Sequence, residues 1–509
     1  MSPLRVLSTS LEALASVDMT RFPSFLGRGR GRGVWIILLF LFCCLHKAEP
    51  QNNAGSNLID RFFAGRQQFQ DDFRSFSDSI DLEFADYIEK NWKEFKVEPP
   101  LKLPYKPESK EMPVYTPNDT SVETGRAPSL QVDTVEIEPV SRKEGMQVVE
   151  GNANALVIDF FGTPLTFDPV KKDEIKLTGI GGKQIADFWR QLSKTDYSAF
   201  INDLNQKKIR LGLGSWGIYQ LILEWANANF PKQQENEKVM FIVALLNKAG
   251  YKVKAGQVKN ALVVLMAFDN AIYGKPFVRF DDGCYYILSN QTATEPNVSS
   301  YNLNYGRASL NFDLNVQILP KLEEAAHLVK RTFRDKVYLF KYNNNLTDYY
   351  ETFPLTELKI YGNTPLSTLA EKSIMSTFAQ DLQNKNVTEK LKFLLSFFQY
   401  ALGYKTDGDQ FGYDRCFFGE ETLLHPYSDC QDRAILFCRM VKLLCGLQTL
   451  LIDYPTHVAT AVKLNEPTGD AIVYNNERYI VCDPTYVGAP IGKTMGGHDN
   501  AKAKIVAVR

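Results

Sequence analysis

The chain is 509 residues long, 44% hydrophobic and 23% charged, with a formal net charge of −1. That is globular composition with core material for about two to four domains. The near-neutral balance leaves no basic footprint, which argues against nucleic acid as a partner.

Residues 1–47 read as a targeting segment. Arg28, Arg30 and Arg32 precede an apolar run of about 12 residues, Val34 to Leu45. That is signal-peptide length and short for a membrane span, so export is expected, with the segment cleaved or kept as an N-terminal anchor. Met19 lies nearer the run than Met1 and is an alternative start. Cys43 or Cys44 could carry a lipid, although Phe42 before them fits a lipobox poorly. Without that pair six cysteines remain, at 284, 416, 430, 438, 445 and 482, too few for a disulfide framework in so long a chain. There is no CxxC pair and only 5 His, so neither a structural zinc site nor a required metal or cofactor is expected.

Residues 51–96 come next. Phe62, Phe69, Phe73, Phe76, Ile80, Phe84, Ile88, Trp92 and Phe95 recur at helical spacing, which predicts one amphipathic helix over 58–96. Such a helix packs on a later domain or faces a partner or membrane. Prolines at 99, 100, 104, 107, 113 and 117 mark a linker over 97–143. Strands with a turn at Gly162-Thr163-Pro164 are predicted over 148–167, then helices over 183–207, 215–229 and 235–249, the last stopping at Gly250. "NALVVLMAF" and "GCYYILSN" read as strands. Residues 293–385 read as a β-rich connector with an Asn-rich turn at 343–345, and a helix over 386–403 leads into the last region. "GAPIGKT" at 488–494 has one residue too few between its glycines for a P-loop, and "GIGGKQ" at 179–184 lacks the strand of a dinucleotide site.

The chemistry concentrates after residue 425. In "HPYSDCQDRAILFCRMV", Ser428 or Asp429 can cap a helix and place Cys430 in its first turn. Free N–H groups and the positive dipole end there favour a thiolate. His457 lies on a strand-like run, "YPTHVATAVKL", beside small Ala459 and Ala461. Asp483 ends a second strand, "RYIVCDPTY", where it can orient the imidazole. The spacing is 27 residues from Cys430 to His457 and 26 more to Asp483. Asp432 and Arg433 support the helix start; Cys438, Cys445 and Cys482 read as core.

These motifs, with the lead-in "TEKLKFLLSFFQYALGY" and the tail "YIVCDPTYVGAPIG", resemble the transglutaminase-like superfamily, a papain-like fold, over about residues 386–495. The resemblance implies Cys430 as nucleophile, His457 as general base and acid, and Asp483 as orienter. It also implies a bacterial exported protein, periplasmic or anchored facing the periplasm. The residues expected to act upstream are a worn copy: "VALLNKAG", "ALVVLMAF" and "YILSN" align with "RMVKLLCG", "HVATAVKL" and "YIVCD", placing Gln234, Ala261 and Asn290 where Cys430, His457 and Asp483 stand.

The expectation is therefore an α+β, multidomain chain: a degenerate repeat over 144–292 and a catalytic transglutaminase-like domain over 386–500. The expected activity is exported cysteine peptidase or amidase chemistry on peptide or isopeptide amides of a peptide or protein substrate. Acyl transfer from protein glutamine by the same triad is the first alternative, and a non-enzymatic binding or scaffold protein the second. The N-terminus allows membrane attachment.

Overall fold

Two helix–hairpin units, one in each half of the chain, organise the molecule. The computed structural model describes residues 78–103, 111–116, 155–170, 174–288, 295–306, 308–465 and 468–508. The expected targeting segment over 1–47 and the 58–77 part of the expected helix lie outside them. No helix among the described residues is long and apolar enough to cross a membrane.

A helix over residues 78–91 (α1) buries Phe84, Ala85 and Ile88. Phe84 meets Trp189 edge-on at 5.0 Å and Tyr305 at 5.4 Å, so this face is core. The helix stops short of the expected residue 96. Lys93–Glu98 is strand β1 instead, pairing with two other strands. The reason is a second period in the same letters: Phe95 and Val97 alternate with charged neighbours, and Phe95 packs on Phe280 at 4.6 Å. After the short hairpin β2 (Leu156–Phe160) and β3 (Thr163–Phe167), four helices follow: α2 (Gly182–Leu192), α3 (Ser198–Leu211), α4 (Ser215–Asn229) and α5 (Glu235–Lys248).

Strands β4 (Val253–Val258), β5 (Ala261–Ala267), β6 (Phe277–Phe280), β7 (Gly283–Ile287) and β8 (Asn297–Ser300) close with β1 into a barrel of order β1-β6-β7-β5-β4-β8. Closure needs room inside: a Cβ on Gly256 would stand 2.8 Å from Val298 Cγ2.

The connector is not β-rich throughout. Strands β9 (Ala326–Phe333) and β10 (Lys336–Asn343) form one hairpin, turned at Arg334 and Asp335, both at positive φ. Asn344, expected in a turn, opens helix α6 (Asn344–Glu351). Helices α7 (Leu358–Asn363) and α8 (Thr368–Leu382) follow, then α9 (Val387–Ala401), started by a capping box of Asn386 and Glu389.

The last region holds β11 (Gly403–Tyr404), α10 (Asp407–Gln410), α11 (Gly419–Leu424), β12 (Tyr427–Ser428) and the helix α12 (Cys430–Cys445). Gly446, at φ 66°, ends α12 in the left-handed region. Strands β13 (Thr449–Tyr454), β14 (His457–Lys463), β15 (Ala471–Tyr474), β16 (Glu477–Cys482) and β17 (Lys504–Val508) form an antiparallel sheet of order β15-β16-β14-β13-β17.

The two sheets repeat each other. Barrel order β6-β7-β5-β4-β8 and sheet order β15-β16-β14-β13-β17 are the same path, with α5 and α12 entering at the same step. Both hairpins turn through two residues: Val258 pairs with Ala261, and Tyr454 with His457. Ala261 therefore occupies the position of His457. The third correspondence shifts. Leu265 pairs with Ile287, and its counterpart Ala461 pairs with Val481, so Asp483 corresponds to position 289. The sequence alignment to Asn290 was one residue out, which a ladder of period two does not tolerate. Positions 289 and 290 both lie outside the described residues.

Candidate active site

Helix α12 starts where its letters require. Asp429 is the N-cap, its Oδ1 accepting from the Gln431 and Asp432 backbone N–H groups at 2.9 and 3.2 Å. Asp432 reciprocates on the Asp429 N–H at 3.1 Å and also accepts from Phe417 N at 2.9 Å. Cys430 is thus the first helical residue, as expected. A three-residue connection then sends β13 back along the helix. The turn between Tyr454 and His457 therefore returns to the end where α12 began.

His457 and Asp483 come together. Nε2 of His457 and Oδ2 of Asp483 stand 2.7 Å apart, both groups buried. The other Asp483 oxygen accepts from Thr485 N at 2.9 Å and Tyr486 N at 3.1 Å, which fixes the carboxylate. Tyr454 stacks parallel to the imidazole at 6.4 Å, and His498 meets it edge-on at 5.4 Å. With Nε2 held by the carboxylate, Nδ1 is the nitrogen left to exchange a proton.

Cys430, the first residue of α12, belongs to the buried cluster that also holds Cys416, Ala434, Ile435 and Val458, the residue after His457 on β14. The thiol is 1% exposed and His457 5%. Both side chains are closed off from solvent.

The electrostatics are those of a desolvated corner. Arg433, fully buried one turn after the thiol, donates to Ser428 Oγ at 3.3 Å, Phe398 O at 3.3 Å and Leu402 O at 2.8 Å. Burial pulls its guanidinium down to about 10, against the pull of Tyr404, Asp429, Cys430 and Asp432. The Tyr404 phenol is pushed up by burial and then by the neighbouring Cys430 and Asp429. Burial also pushes Asp429 well above the carboxylate range, with Asp432 and Asp407 adding to it. One Asp429 oxygen is buried without a hydrogen-bond partner. Asp432 and Arg433 thus support the helix start as expected.

The remaining cysteines behave as core. Burial raises Cys438 to about 12 and Cys445 to about 11, and raises Cys482 further. Two groups carry more weight than the sequence reading gave them. Gln399 of α9 donates to the Asp483, Tyr486 and Ala489 carbonyls at 3.1, 2.8 and 3.1 Å, and accepts from Gly488 N at 3.3 Å. A lone Gln on an apolar helix face was its visible signal. His498 carried no signal, since only folding brings it to His457.

A cavity of about 190 Å³ lies beside the corner, lined by Gln431, Val458, Asp453, Cys416, Tyr273 and Leu355 among others. Glu351, Glu421 and His425 also converge. Arg415 lies 2.6 Å from Glu421 and 3.4 Å from Glu351, so the positive charge between those carboxylates is already supplied by the chain.

Compared with known proteins, the chain matches no family model, no curated protein and no solved structure.

Proposed function

We propose that the chain is a thiol hydrolase of transglutaminase-like type, opening peptide or isopeptide amides through a thioester on Cys430. The observation that carries this reading is the buried His457–Asp483 hydrogen bond, at the end of the layer where a capped helix presents a thiol. The steps follow from the chemistry of these groups. His457 Nδ1 takes the Cys430 proton, and the thiolate adds to the amide carbonyl carbon. The carbonyl electron pair moves to oxygen, where the Cys430 N–H at the helix start can receive the charge. Collapse breaks the C–N bond as His457 returns the proton to the leaving nitrogen. Water, deprotonated by the same imidazole, then releases the acid and the thiol. An amine in place of water gives acyl transfer, the first alternative.

In this reading the barrel unit is the degenerate transglutaminase-like copy, with Ala261 where a base would stand, and it acts as scaffold. The basic and apolar pattern of residues 28–45 supports export to the periplasm, and the thioester chemistry of the triad supports peptide or protein as the substrate class. A second reading has one observation in its favour. A sulfur 1% exposed among apolar neighbours suits a binding module that keeps the fold without the chemistry.

Alkylation separates the two. Iodoacetamide labelling mapped by mass spectrometry should mark Cys430 ahead of Cys284, a half-buried thiol, and the preference should vanish in His457→Ala. Labelling of Cys430 no faster than Cys284 sinks the enzyme. Peptide products with and without an added amine then distinguish hydrolysis from transfer.

A further inference from the structure

Residues 111–116 belong to neither helix–hairpin unit, yet they are seated on the loop that follows Asp483. The Tyr115 N–H donates to Val487 O at 2.8 Å, and the Val487 N–H donates to Pro113 O at 2.9 Å. Those two bonds are the repeat of a parallel ladder centred on Val114 and Val487. Side chains anchor both ends. Met112 is buried, its sulfur 3.2 Å from Arg433 Nη1. Tyr115 meets Tyr486 edge-on at 5.7 Å, under Lys493.

The receiving edge is built without this segment. Asp483 fixes the N–H groups of Thr485 and Tyr486, and Gln399 grips Asp483, Tyr486, Gly488 and Ala489 from behind. A preformed edge that accepts an extended chain by backbone pairing, with pockets for flanking side chains, is a peptide-recognition arrangement. Its position matters. Met112 touches the residue one turn after Cys430, and Tyr115 the residue three after Asp483. The seated segment therefore spans the two elements that carry the thiol and the carboxylate, in a site whose thiol is sealed.

We propose that the edge over residues 485–489 is a peptide-docking subsite, and that residues 112–115 occupy it as an intramolecular plug. The peptides it takes are extended, run parallel to the loop, and carry an unbranched apolar side chain two residues before the one paired with Val487 and an aromatic ring one after it. The link from docking to catalysis rests on the thiol-hydrolase reading above; the docking itself does not. A tethered segment competes at high effective concentration, so a modest set of contacts keeps it seated.

The test uses the full chain, with Tyr115→Pro to remove the donated N–H and the ring, and Met112→Ser as an independent variant. The probe is a fluorescent peptide of sequence SKEMPVYTPN, and a scrambled version is the control. Freeing the edge should tighten binding of this peptide by about tenfold or more relative to the wild-type chain, and should raise iodoacetamide labelling of Cys430 by a similar factor, since the plug no longer competes. Hydrogen exchange at Val487 should quicken in both variants and slow again with peptide. Equal binding by wild type and both variants, or by the scrambled peptide, overturns the subsite. Tighter binding with unchanged Cys430 labelling overturns the plug. A freed edge that binds peptide while Cys430 labels no faster than Cys284 and cleaves nothing leaves the subsite standing and removes the hydrolase.

Discussion

The two helix–hairpin units share a strand order and a two-residue turn, yet their helix starts live in opposite environments. Upstream, Gln234 and Glu235 are exposed, no side chain caps α5, and position 261 is Ala. Downstream, Cys430, Gln431, Asp432 and Arg433 are all buried behind a full capping box. The backbone path does not make this difference. The connection into the helix does. Residues 230–234 join α4 to α5, whereas residues 402–429 join α9 to α12 and bring Tyr404, Asp407, Arg415 and Cys416 against the helix start. One strand order thus carries an exposed helix start or a desolvated one, according to what is packed over that helix end.

The comparison breaks most sharply on activity. On the proposed reading, in which Cys430 is the nucleophile and His457 the base, Cys430→Ala and His457→Ala should each abolish peptide hydrolysis by about a thousandfold or more. Gln234→Ala, at the matching position, should leave kcat/KM unchanged. An active Cys430→Ala would dissolve the distinction between the copies.

Stability comes next. Arg433→Met strands buried carbonyls and the Ser428 hydroxyl, and should cost about 3–5 kcal/mol in urea denaturation. Glu237→Met, its half-buried counterpart, should stay within about 0.5 kcal/mol. A smaller effect is expected at the cap: Asp429→Ala should cost about 1–2 kcal/mol, through the two N–H groups it leaves unpaired.

The last effect is a tilt with pH. Burial and Asp432 raise Asp407 to about 8 from 3.8, so the folded chain keeps a proton that the unfolded chain gives up above about pH 4. That stabilisation is whole below about pH 4 and lost as pH rises through about 8. The barrel tilts the other way. Lys254, wholly buried among Phe280, Tyr285 and Tyr301, is pulled by burial down to about 7 from 10.5. Its contribution is whole above about pH 10.5 and lost as pH falls through about 7. Melting temperature against pH should therefore lose its downward slope between pH 4 and 8 in Asp407→Asn, and its upward slope above pH 7 in Lys254→Met. Unchanged slopes would mean that neither group titrates as its burial implies.

Much of the architecture could be read in the letters where one period ruled. The helices over 215–229 and 235–248, the α12 cap, and the pairing of His457 with Asp483 all follow from local spacing and capping chemistry. The reading slipped where two periods overlapped. Residues 93–98 carried a helical spacing of aromatics and also a strand alternation, and pairing on both sides decided for the strand. It slipped again over 286–288, where identity was too low to set a register that only the hydrogen-bonded ladder fixes. Asn344 read as a turn because asparagine serves turns and helix starts equally well.

By itself the sequence determined which residue types could do chemistry and in what order, because capping, periodicity and spacing act within a few residues. Tertiary structure alone decided that His498 meets His457 and that Gln399 grips the loop behind Asp483. It also decided that the thiol is sealed and that residues 112–115 lie along Val487. Each of these depends on segments remote in the chain meeting in a low-dielectric interior, and no local pattern encodes such a meeting.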